Sequence, residues 1–158
     1  MLDGFEFKVF TNEDLPTLRQ IYKESRQEEL DLLTTWTERQ IEEFVDHQFS
    51  AQHKYYIENY QGSKFWLIQK EGHPIGRLYL KEYENEFRII DIALLIAWRR
   101  KGIGKRILEK ILSSAAEKGK IVSIHVEKNN PALELYKRLG FQEKEDKGVY
   151  WFMVKELG

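Results

Sequence analysis

Apolar residues recur along this chain with two periods, and the places where the period changes mark out the elements. Glu6 to Phe10 alternates like a short strand, and Thr11-x-x-Asp14 reads as a capping signal before Leu15, Leu18 and Ile21-Tyr22 at helical spacing. A second start signal, Thr37-x-x-Gln40, opens a stretch where Ile41, Phe44, Val45, Phe49 and Tyr55-Tyr56 recur. It predicts a helix into the fifties, with Gln27 to Trp36 as a connection of no defined shape. From Ser63 the period is two: Phe65 to Gln69 and Pro74 to Tyr83 predict antiparallel strands about a turn at Lys70-Glu71-Gly72-His73. Phe87 to Trp98 is apolar on both alternating faces apart from Arg88 and Asp91, as expected of a central strand covered on both sides. Gly102 opens a helix with Ile103, Ile107, Leu108, Ile111 and Leu112 along one side, and Gly119 ends it. Ile121 to Val126 predicts a strand, Pro131 the first turn of a helix to Leu139, and Gly140 its stop; Val149 to Val154 is the second of two closing strands. With no linker or repeat, this order predicts one mixed α/β layered domain over residues 1–158.

Composition narrows the partners. Lys plus Arg (25) nearly cancels Asp plus Glu (26), so no global field favours nucleic acid or an anionic membrane, and any anion site must be local. The absence of cysteine removes disulfides, thiolate zinc sites and a cysteine nucleophile, and fits a cytoplasmic setting. The amino terminus lacks a signal-peptide pattern, and no apolar run is long enough to span a bilayer. His47 and His53 lack metal-ligand spacing, so no metal is expected.

The local anion site is the segment Arg99-Arg100-Lys101-Gly102-Ile103-Gly104-Lys105, between the central strand and a helix. Glycines let backbone approach a ligand, successive N–H groups converge on oxygen, and the helix start adds partial positive charge. Arg99, Arg100, Lys101, Lys105 and Arg106 place five positive charges in eight positions. By letters alone a solvated basic turn accounts for the segment as well. A P-loop would need Ser or Thr after Gly104-Lys105, where Arg106 stands, and the dinucleotide fingerprint would need a third glycine at Ile107.

Downstream, Asn129-x-x-Ala132-x-x-Leu135-Tyr136-x-x-x-Gly140-Phe141 links a strand to a helix. Together with Arg99-x-x-Gly102-x-Gly104, this string resembles the GNAT superfamily of acetyl-CoA-dependent N-acetyltransferases over about residues 87 to 142. The resemblance implies a GNAT-like acyl-CoA N-acyltransferase fold, a mostly antiparallel twisted sheet with helices on both faces. It implies backbone pairing of Leu94, Leu95 and Ile96 with the pantetheine arm of acetyl-CoA. Arg99 to Lys105 would then cradle the pyrophosphate, with Asn129, Ala132 and Tyr136 on the far side of the thioester. It also implies that Tyr136 donates a proton or hydrogen bond to the departing thiolate, with aromatic packing as the alternative.

Acetylation of a primary amine needs a neutral nucleophile, and a lysine-like amine has a reference pKa of about 10.4, so a base or water relay is required. Asp91, the acid within the central strand, is the leading candidate; a buried ion pair with Arg77 is the competing use. Glu82, Glu86 and His125 are weaker candidates. Glu24, Glu28, Glu29 and Asp31 would attract a cationic acceptor or form a solvated face, and the aromatic-rich first third would line an acceptor pocket or pack helices. The acceptor is open between a small amine and a protein amine. The competing class is a non-catalytic acyl-CoA-binding regulatory or interaction module. Tyr150, Trp151 and Phe152 would serve a homodimer or, more simply, the core.

Overall fold

The computed structural model describes residues 4–158. Its sheet contains β1 (Glu6–Val9), β2 (Lys64–Lys70), β3 (His73–Glu82), β4 (Glu86–Leu94), β5 (Ile121–Glu127), β6 (Gln142–Lys147) and β7 (Tyr150–Lys155), in the order β1-β2-β3-β4-β5-β7-β6. All neighbours are antiparallel except β4 and β5, which run parallel from Glu86↔Ile121 to Ile89↔Ile124. The helices among the described residues are α1 (Leu15–Ser25), α2 (Gln27–Asp31), α3 (Glu38–Asn59), α4 (Ile103–Glu117) and α5 (Leu133–Arg138). This is the mixed architecture the motifs imply.

The helices cover the sheet on both faces. Ile103, Ile107, Leu108, Ile111 and Ala115 of α4, spaced by three and four, close on Phe87, Ile89, Val122 and Ile124. On the other face Leu18 and Ile21 of α1 and Val45 and Phe49 of α3 close on Leu67. Burying one such side chain stabilises by roughly 1.5–3 kcal/mol, so each face is held by several. The α3 start is the reciprocal cap its sequence predicts: Gln40 N donates to Thr37 Oγ1 at 3.1 Å and Thr37 N to Gln40 Oε1 at 2.8 Å.

Three expectations are corrected. The connection Gln27 to Trp36 contains α2, whose five residues bury only Leu30, too few for a period to show. The central strand stops at Leu94 rather than Trp98, because Trp98 N donates to Leu95 O at 2.8 Å and turns the chain. The last helix starts at Leu133, two residues beyond Pro131, after the Asn130 side chain accepts from Ala132 N at 2.8 Å.

Strict alternation would put Asp91 beside Phe87 and Ile89 under α4, an apolar place for a carboxylate. The register shifts instead: Tyr79 pairs with Asp91 and Leu80 with Ile89, leaving Ile90 as the extra residue of a bulge. A slip of one residue exchanges the faces, so Asp91 joins Ala93 on the side of α1 and α3. Pairing of β4 with β5 also ends at Ile89↔Ile124, so the two strands part beyond that point.

Candidate active site

The loop after β4 is shaped around backbone N–H groups. Arg100 (φ 60) and Gly102 (φ 76) are left-handed, a conformation that suits Gly102 because it has no side chain to strain. No side chain caps α4, and Arg106 N makes its first helical bond, to Gly102 O at 3.1 Å. The amides of Ile103, Gly104 and Lys105 therefore lack intrahelical acceptors and point out of the positive end of a fifteen-residue helix. Arg100 and Lys105 are exposed and make no ion pair among the described residues, while Lys101 lies over the Trp98 ring at 5.5 Å and Arg106 over Phe5 at 5.3 Å.

Two of the three backbone positions expected for the pantetheine arm are already engaged. Leu95 N donates to Ile75 O at 2.8 Å, and Ile96 N donates to Glu24 Oε1 at 2.7 Å. Their carbonyls accept from Trp98 N (2.8 Å) and Arg99 N (3.2 Å). The turn that ends β4 consumes both residues, so the edge left by β5 runs from Ile90 to Leu94, with the Leu94 carbonyl already taken by Arg99. Arg99 is engaged within the chain: its Nε donates to Leu94 O at 2.9 Å and its Nη2 to Glu24 O at 3.0 Å, tying the loop to β4 and to the end of α1.

Tyr136 sits in α5 at 4% exposure, its ring edge-on to Phe141. Burial pushes the phenol pKa up and the charge of Asp91 adds to the rise. Asp91 is not the free base the sequence suggests. Its Oδ2 accepts from Arg77 Nη2 at 2.7 Å and from the Tyr56 hydroxyl at 3.0 Å. Arg77 is 2% exposed, and a guanidinium so deep requires a counter-charge. Its Nη2 also donates to Gln52 Oε1 at 2.7 Å, whereas Arg77 Nε and the Tyr79 hydroxyl have no hydrogen-bond partner among the described residues.

A cavity of about 430 Å³ opens between α1, α2, α3 and the ends of β5 and β7. Its charged wall is Arg26, which contacts Glu127 Oε1 at 2.7 Å and Glu29 Oε1 at 2.8 Å. Burial alone would lower the Arg26 pKa, but hydrogen bonds and charge from Glu127, then Glu29, more than reverse this. Two carboxylates on one guanidinium leave the wall net negative. Tyr22, Phe44 and Tyr150 supply aromatic surface, Gln48 and Gln52 amides. Burial raises the Tyr150 pKa, and the charge of Glu127 is the next largest cause.

Of the acidic run, Glu29 lines this cavity, Glu24 serves Ile96, and Glu28 and Asp31 are exposed. Arg26, Gln48, Gln52 and Glu127 carried no sequence signal: the wall joins one side of α3 to residues from elements as far apart in sequence as positions 22 and 150. Asn129 is exposed and Ala132 half-buried at the start of α5. Glu82 is held by Lys118 and Lys120, and Glu86 by Ser123 and Arg88, both away from the cavity. His125 stacks on Phe152, its pKa lowered by burial and then by Arg88. Of the closing aromatics, Trp151 packs on the core, Phe152 lies against His125, and Tyr150, 40% exposed, lines the cavity. His47 is exposed, and His53 stacks on Phe49. Among the described residues no group of His, Cys, Asp or Glu could hold a metal ion, and no helix is long and apolar enough to cross a membrane.

The β4 edge is thus unpaired by β5 beyond Ile89, and the uncapped start of α4 follows it in the chain. The chain belongs to the acetyltransferase (GNAT) family, whose model matches residues 17–141. An uncharacterised N-acetyltransferase of Methanocaldococcus jannaschii is 28% identical over 156 residues, covering 80% of this chain and 69% of the relative. The [ribosomal protein bS18]-alanine N-acetyltransferase of Haemophilus influenzae is 26% identical over 98 residues, covering 60% and 67%. In fold, the chain is similar to the PaiA N-acetyltransferase of Thermoplasma acidophilum in complex with coenzyme A, with TM-score 0.71, 22% identity, and 96% and 98% of the two chains covered.

Proposed function

We propose that this chain transfers an acetyl group from acetyl-CoA to a primary amine by direct attack. The proposal is carried by the family match over residues 17–141 together with a β4 edge left unpaired by β5 beyond Ile89 and the uncapped start of α4 that follows it. Acetyl-CoA supplies a thioester carbonyl at which the C–N bond forms as the C–S bond breaks. The amides of Ile103, Gly104 and Lys105, with Arg100, Lys101 and Lys105 around them, hold the diphosphate; the β4 edge from Ile90 to Leu94 pairs with the arm. Asn129 and Ala132 line the far side beside Tyr136.

Its raised pKa keeps the Tyr136 phenol protonated, so it donates to the departing sulfur. A thiol has a reference pKa of about 8.5, so full proton transfer from this phenol would be uphill, and stabilising the leaving thiolate by a hydrogen bond is its work. Asp91 contributes fixed negative charge. Glu127, held by Arg26 through Oε1, is placed to take the proton that the incoming ammonium must lose. A cavity with a carboxylate-lined wall, suited to a cationic acceptor, favours an enzyme over a binding module. The bS18-alanine acetyltransferase among the relatives and the coenzyme A held by the PaiA neighbour support the same chemistry.

The test is calorimetric titration with acetyl-CoA, followed by a thiol-release screen against small amines and peptides. Binding with amine-dependent thiol release is expected. Binding without release by any amine would leave a binding module, and no binding would reduce the loop to a basic turn.

A further inference from the structure

Gln52 stands between the buried network and the cavity. Arg77 Nη2 donates to its Oε1 at 2.7 Å, and the residue lines the cavity wall. A guanidinium carries donors only, so the amide has one admissible orientation. The reversed amide would set donor against donor beside a fully buried cation and leave a buried N–H without an acceptor. With its oxygen held by Arg77, the group left for the cavity's occupant is the Gln52 NH2. Gln48, one turn earlier on α3, shares that wall.

The other charged groups of the cavity have a different character. Arg26 is engaged by both Glu29 and Glu127, so the carboxylates, not the guanidinium, meet an incoming ammonium. The cavity therefore offers acceptors from Glu29 and Glu127 and a donor from Gln52. An alkyl di- or polyamine carries donors alone and leaves the Gln52 NH2 unmatched in a partly desolvated place. An amine with a carbonyl or carboxylate oxygen next to the reacting nitrogen matches both kinds of group.

We propose that Gln52, oriented by Arg77, determines acceptor specificity by donating its amide N–H to an oxygen adjacent to the reacting amine, selecting α-amino carbonyl compounds over alkylamines. This rests on the acetyltransferase function proposed above. The shared chemistry has two sources, a free amino acid and the amino terminus of a peptide.

The experiment measures kcat/KM at saturating acetyl-CoA for alanine, alanine amide, a short peptide beginning with alanine, isopropylamine and 1,4-diaminobutane. The ratio of the best oxygen-bearing amine to isopropylamine should be about tenfold or more. Gln52→Glu keeps an oxygen on Arg77 but replaces the donor by an acceptor, so the ratio should collapse or invert; Gln52→Leu should also lower it. Alanine against the amide and peptide distinguishes the two sources. A wild-type preference for either alkylamine, or a ratio unchanged in both variants, overturns the proposal. Should acetyl-CoA bind and no amine be acetylated, the transferase function fails separately. Calorimetric affinities of the same amines for the coenzyme A-loaded protein then give the ratio, and a lowered or an unchanged ratio in the two variants supports or overturns the role of Gln52 as before. Thermal melts of both variants check folding.

Discussion

Arg77 and Asp91 meet across β3 and β4 at 2.7 Å, the guanidinium fully buried and the carboxylate within electrostatic reach of Tyr136. The pair holds one wall of the site together, since Arg77 also fixes Gln52 and Asp91 also holds the Tyr56 hydroxyl.

Asp91→Asn removes the counter-charge of a buried cation and should cost about 3 kcal/mol in denaturant unfolding, whereas Arg77→Met with Asp91→Asn should recover more than half of that loss. Unchanged stability with abolished turnover would instead make Asp91 the base.

Burial, reinforced by Asp91, raises the pKa of Tyr56 and Tyr136 above the ordinary phenol value of 10.0. The folded state then holds protons that the unfolded chain releases, so this contribution to stability is intact below pH 10 and declines as pH rises further. Unfolding midpoints measured from pH 8 to 11 should fall above pH 10, and Tyr56→Phe should flatten the decline. A midpoint constant to pH 11 would contradict these shifts.

Gly76 faces β4 where its edge is open. An added β-carbon would sit 2.3 Å from Ala93 O and 2.8 Å from Leu94 Cδ2, the first a backbone atom that cannot step aside. Gly76→Ala should cost roughly 3 kcal/mol and weaken acetyl-CoA binding by displacing that edge. Wild-type stability and affinity together would contradict the packing described.

Arg99 braces the loop through Leu94 O and Glu24 O. Arg99→Ala should weaken acetyl-CoA binding about tenfold while the dependence of affinity on ionic strength keeps its wild-type slope, because the lost charge does not face the diphosphate. A shallower slope would place the guanidinium at the anion.

The two strand-to-helix joints that carry the family motifs were legible because their determinants are local: Gly102 to Lys105 and Asn129 to Tyr136 each follow a strand and lead into a helix within a few residues. The cavity wall was not. Arg26 meets Glu127, and Glu24 meets Ile96, through contacts that exist only once α1 lies across the sheet. The bulge at Ile90 is a further case: alternation through Phe87, Ile89 and Asp91 assigns one face, and a single unpaired residue assigns the other. Arg77 as a partner for Asp91 could be named in advance because antiparallel neighbours are the nearest charges a strand residue meets, but which use prevailed was decided by how deep Arg77 lies.

The central claim is that Tyr136 stabilises the sulfur leaving an acetyl thioester during attack by an amine. The most direct measurement is amine-dependent thiol release from acetyl-CoA by the wild type and by Tyr136→Phe, with acetyl-CoA affinity taken on the same samples. Turnover should fall by about a hundredfold in Tyr136→Phe with affinity nearly unchanged. Equal turnover in the two proteins would contradict the account.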